Sequence, residues 1–90
     1  PAKTSHPVST GIEYRVQFTT STKKIPVTDK RFSAIPEVSV YYHNGLYKYT
    51  SGHFITLDEA VKRQHTLKNK GYRSAWVVKM KGDKRYTGGV

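Results

Sequence analysis

The run Val38-Ser39-Val40-Tyr41-Tyr42-His43-Asn44-Gly45-Leu46-Tyr47-Lys48-Tyr49-Thr50 sets the architecture of the chain. Two segments rich in β-branched and aromatic residues flank Asn44-Gly45, the pair a type I′ turn demands because both central residues need positive φ. The run reads as a β-hairpin. Upstream, Ile12-Glu13-Tyr14-Arg15-Val16-Gln17-Phe18 alternates apolar and polar residues strictly. That period predicts a half-buried strand with Tyr14, Val16 and Phe18 inward and Arg15 and Gln17 on the opposite face. The stretch Thr19–Pro36 between them lacks periodicity and is broken by Pro26 and Pro36. It has room for one short helical turn around Asp29–Ala34.

Downstream, Thr56-Leu57-Asp58-Glu59 is a capping box: the Thr56 hydroxyl can accept from the Glu59 amide while Glu59 reaches back. Asp58 and Glu59 also suit the positive end of the helix dipole. The helix is expected to run to about Lys70, with Leu57, Ala60, Val61 and Leu67 on one face, Gln64 between them, and Gly71 as its stop. Ala75–Met80 forms the next strand, and Gly82-Asp83 turns into a short extension at Lys84–Thr87. The expected fold is α+β: a four-stranded antiparallel sheet with one long helix and one short or degenerate helix on one face, in an RNP/ferredoxin-like βαββαβ layout. Such a sheet keeps its second face uncovered, and function is sought there.

Composition narrows the classes. Ninety residues make one domain, whose folding buries roughly 60–65% of the unfolded surface. Seven Tyr, three Phe and one Trp argue for a packed core, and the lack of Cys excludes a disulfide scaffold, a thiol nucleophile and a thiolate zinc site. Sixteen Lys and Arg against six Asp and Glu give a net charge of +10, which favours polyanionic surroundings such as nucleic acid, acidic lipid or an anionic cell envelope. The basic residues are dispersed in pairs, as on solvated faces. Pro1–Gly11 reads as a flexible linker, residues 12–87 as the folded domain and 88–90 as a frayed tail; a chain that starts at Pro1 reads as a processed product or an excised domain.

Little points to catalysis. Asp58 and Glu59 are helix neighbours that point about 100° apart, a poor acid–base pair. His6, His43, His53 and His65 show no metal-ligand spacing, and no G-x-S-x-G or phosphate-binding glycine pattern occurs. The chain reads as a binding module, with no cofactor. From the presumed free face project Arg15 and Gln17, Lys48 and Thr50, and Ser39 and Tyr41. Guanidinium, planar amide and hydroxyl groups are the partners that sugar hydroxyls and N-acetyl groups require. Alternation does not phase the last strand: either Trp76, Val78 and Met80 face the helix, or Ala75 and Val77 do. An outward Trp76 would be a stacking plate for a sugar ring or a base.

These residues resemble the SPOR (sporulation-related repeat) domains that bind bacterial peptidoglycan. The family's first-strand Tyr-x-Val-Gln and small-residue loop are matched by Tyr14-Arg15-Val16-Gln17 and Thr19-Thr20-Ser21. Its second half is matched by Tyr47-Lys48-Tyr49-Thr50-Ser51-Gly52-His53-Phe54, Thr56, Glu59-Ala60, Leu67 and Gly71-Tyr72, so that the likeness spans about residues 12–80. Two departures mark a divergent branch, similar to the C-terminal domains of cell-wall amidases: Thr19-Thr20-Ser21 replaces the first-half Gly-x-Phe, and the Pro-broken Lys23–Glu37 replaces an Ala/Leu-patterned helix. The resemblance implies binding of glycan strands stripped of stem peptides, enriched at division septa, by a domain of a larger periplasmic or envelope protein. By position it assigns Gln17 as the sugar-bonding glutamine, Thr20 as the hydroxyl three residues on, Lys48 in place of an Arg, and Trp76 as a residue pointing into the groove. The alternative reading is an RNA- or DNA-binding sheet, which the charge suits but for which no K/R-G-F/Y-G/A-F-V-x-F/Y element is present. A third is a protein-interaction domain that pairs through the edge strand Val38–Tyr42.

Overall fold

A computed structural model describes residues 12–82 and 84–86. The linker expected at Pro1–Gly11 and the tail at 88–90 lie outside the described residues. The elements are β1 (Ile12–Ser21), a single 3-10 turn (Lys30–Phe32), β2 (Val38–His43), β3 (Leu46–Phe54), α1 (Leu57–Asn69), β4 (Trp76–Lys81) and β5 (Lys84–Arg85). They form one antiparallel sheet in the order β2-β3-β1-β4-β5, with α1 against β1, β3 and β4. Among the described residues no helix is long and apolar enough to cross a membrane.

The hairpin forms as the sequence predicts, with Asn44 and Gly45 at φ 53° and 79° and Tyr41 opposite Lys48. The four-stranded RNP/ferredoxin-like expectation is corrected: the sheet has five strands, is curled, and carries one α-helix. The fifth strand arises because Gly82 (φ 63°) lets the chain double back, pairing Lys81 with Lys84 and Met80 with Arg85. The curl follows from two register shifts between β1 and β3, one between Tyr14 and Val16 and one between Gln17 and Thr19. Each extra residue bends its strand and increases the local twist.

On the helix side, Val16, Phe18, Phe32, Ile35, Tyr49, Ala60, Leu67 and Ala75 form the main core. The Pro-broken segment fills the place of a first helix with two side chains. Phe32 lies 5.0 Å from Tyr49 in a stacked pair and 5.8 Å edge-on from Phe18, while Tyr72 meets Phe18 at 5.1 Å. The fully buried Tyr49 hydroxyl is satisfied by the Ile25 backbone, donating to its carbonyl at 2.8 Å and accepting from its amide.

Thr56 caps α1 as expected, accepting from the Glu59 amide at 3.3 Å. Glu59 does not return to the Thr56 backbone; its carboxylate accepts from the Thr56 hydroxyl at 3.1 Å. The expected apolar face narrows to Ala60 and Leu67, with Val61 half-buried and Leu57 51% exposed at the helix start.

Gly52 sits in the first register shift at φ 86°, where a Cβ would run into the Phe54 ring. Both the backbone conformation and the overlap oppose any side chain. Gly52→Ala is expected to destabilise the fold by about 2 kcal/mol, read as a lower midpoint in urea unfolding.

Candidate functional site

The register of β4 phases its side chains. Trp76 pairs with Gln17 and Val78 with Arg15, so Trp76, Val78 and Met80 lie on the sheet face away from α1, while Ala75 and Val77 face the helix. That outer face is concave, and the curl brings its two edges together. Arg85 of β5 reaches across to Tyr41 of β2, Nη1 donating to the hydroxyl at 3.4 Å. The same guanidinium lies 4.7 Å from the Trp76 ring centroid, a cation–π contact. The Tyr41 hydroxyl in turn donates to Gln17 Oε1 at 2.9 Å.

The expectation of an open second face therefore needs correction. Tyr41, Val78 and Met80 make a second, smaller core on it. Four of the seven candidate residues are buried: Arg15, Gln17, Tyr41 and Thr50. The curl and β5, neither legible from alternation, are the cause. Arg15 is a framework residue: Nε pairs with Glu13 Oε2 and Nη2 donates to the Gly82 carbonyl at 3.3 Å. Gln17 and Tyr41 lie on the floor. Thr50, fully buried, holds the one buried side-chain polar atom without a hydrogen-bond partner among the described residues. Thr20 and Lys48 face each other across β1 and β3 near the hairpin end, Thr20 exposed and Lys48 half-buried. Trp76 is 44% exposed.

Two residues of this face were not singled out from the sequence. His43 lies two positions beyond Tyr41 on β2 and shares its side, a signal that strand alternation carries. Arg85 lies in the short extension expected after the Gly82-Asp83 turn, but its place on this face follows only from the pairing of that extension with β4. Burial holds His43 below the ordinary histidine pKa, and the charges of Lys48 and Arg85 add to the effect.

At the opposite end of the face Glu13, His53 and Ser39 are linked, His53 Nδ1 lying 3.0 Å from Glu13 Oε2 and Nε2 lying 3.2 Å from Ser39 Oγ. The order is that of an acid–base relay, but Glu13 is also paired with Arg15, and Ser39 sits mid-strand opposite Thr50 with its backbone in the ladder. No strained turn presents its hydroxyl, so the chain ties β1, β2 and β3 together. Among the described residues no three His, Cys, Asp or Glu side chains could hold a metal ion.

Partial burial pushes the Glu13 carboxyl up, but hydrogen bonds from Arg15 and His53 outweigh it and the net shift is downward from 4.5. A lowered carboxylate pKa gives stability that is present above the unfolded value and lost as pH falls through the folded one. Glu13→Gln is expected to flatten the fall in melting temperature below about pH 4.5, measured by thermal melts across an acid series. Thr50→Val, which replaces the orphan hydroxyl by a methyl of the same shape, is expected to leave stability unchanged or raise it by about 1 kcal/mol in urea unfolding.

Residues 27–79, more than half of the chain, match the family model of the SPOR domain. The match begins after β1, so Arg15, Gln17 and Thr20 lie before the matched residues, while Tyr41, Lys48, Thr50 and Trp76 lie within them. No curated protein and no solved structure matches the chain.

Proposed function

The chain belongs to the SPOR domain family, the non-catalytic, division-associated modules that bind peptidoglycan, and we propose that it binds glycan strands along its concave sheet face. The observation that carries this reading is Trp76, an aromatic ring left 44% exposed on that face and braced by Arg85. A ring held in place loses little freedom when a sugar stacks on it. Thr20 and Lys48, paired across β1 and β3 on the same face, supply a hydroxyl and an ammonium. Gln17 accepts from Tyr41 through its oxygen, so its amide nitrogen is oriented to donate. Arg15, Tyr41 and Thr50 act as the frame and floor of the groove. The preferred strands are those lacking stem peptides, because bulky substituents would not enter a face whose edges meet across Tyr41 and Arg85. In the cell the domain would hold a larger envelope or division protein, such as a cell-wall amidase, at the septal wall on the periplasmic side.

Co-sedimentation with purified sacculi tests this. Retention is expected to rise after amidase treatment, to survive high salt, and to fall at least about fivefold in Trp76→Ala, since an aromatic–ring stack contributes roughly 1–3 kcal/mol. Retention that ignores amidase and vanishes with salt would mean that charge alone binds, the behaviour of a nucleic-acid ligand.

A further inference from the structure

Three basic side chains surround Tyr41 on the concave face. The His43 ring of β2 lies 6.2 Å from the Tyr41 ring, Lys48 of β3 pairs directly opposite Tyr41, and Arg85 reaches over from β5 to the Tyr41 hydroxyl. The acids of the described residues are engaged elsewhere. Glu13 pairs with Arg15 and His53, Asp29 with Arg31 and Glu37 with Arg63, while Asp58 and Glu59 lie in the first turn of α1. Among the described residues no carboxylate pairs with this cluster, so the positive charges of Lys48 and Arg85 stand uncompensated there and are favourable to an anion. Arg85 also braces Trp76 and bonds Tyr41, so the cationic cluster and the aromatic plate form one continuous surface.

We propose that His43, Lys48 and Arg85 form an anion subsite that takes the carboxylate borne by the glycan's muramic-acid units. The inference rests on the glycan reading above and names the chemical group recognised there. In a strand that carries stem peptides this carboxyl is an amide, neutral and substituted. Once the peptide is removed it is a free carboxylate that can accept charge-assisted hydrogen bonds from Lys48 and Arg85. Selection for peptide-free strands then has an attractive cause besides the steric one.

Trp76 is the sole tryptophan, so its fluorescence reports occupancy of this face directly. The probes are a peptide-free oligosaccharide of alternating N-acetylglucosamine and N-acetylmuramic acid, and the same oligosaccharide with each carboxylate converted to a methyl amide. The free carboxylate form is expected to bind the wild-type domain about tenfold tighter. Lys48→Met and His43→Gln should each narrow that gap, weakening the carboxylate form several-fold more than the methyl amide. Equal binding of the two probes to wild type, or equal losses for both in Lys48→Met, would overturn the subsite and leave the glycan reading standing. Failure of both probes to bind would remove the two together.

Discussion

The sheet curls because β1 slips register twice against β3, and the rest of the structure depends on that curl. With β1 straight, β2 and β5 would lie at opposite edges of a twisted plane. Bent, they approach closely enough for Arg85 to meet Tyr41. The convex side then wraps the main core under α1, while the concave side closes over Tyr41, Val78 and Met80. A chain of ninety residues has little apolar surface to spare, and burying some on both faces of one sheet uses it fully. Gly52 belongs to the same device, since the strand can bulge there only without a side chain.

The curl also decides which polar groups support and which remain accessible. Arg15, Gln17 and Tyr41 spend hydrogen-bonding capacity on the protein, on Glu13, on one another and on Arg85. These bonds hold the groove in a single shape before any ligand arrives. What stays accessible is a rim of Trp76, Thr20, Lys48 and His43, chemically an aromatic plate with hydrogen-bond donors and positive charge beside it. Rigid floor and accessible rim together suit a stiff polymer with repeated polar substituents better than a flexible chain that must be ordered on binding.

Much of this was legible in the sequence, and the limits have physical causes. Strict alternation placed Arg15 and Gln17 opposite Tyr14, Val16 and Phe18, and Asn44-Gly45 specified the hairpin, because both signals are local. The capping box located α1 for the same reason. Alternation cannot count residues inserted at a bulge, so the curl, and with it the burial of Gln17, Tyr41 and Thr50, left no trace in the pattern. Nor could it phase Trp76-Val77-Val78, where apolar residues run consecutively; only pairing with β1 sends Trp76 outward. Leu57 shows the converse case, a residue at the right helical spacing that sits in the first turn, beyond the reach of the sheet beneath. Arg85 lay hidden because a two-residue strand has no periodicity to detect.

The central claim is that glycan lies on the concave face and not on the helix side. Intermolecular nuclear Overhauser contacts between the N-acetyl methyl protons of a peptide-free glycan and the side chains of the protein measure this directly. The account predicts contacts to the Trp76 indole and the Thr20 methyl, with none to Leu57 or Val61. Contacts to the helix residues, with Trp76 and Thr20 silent, would contradict it.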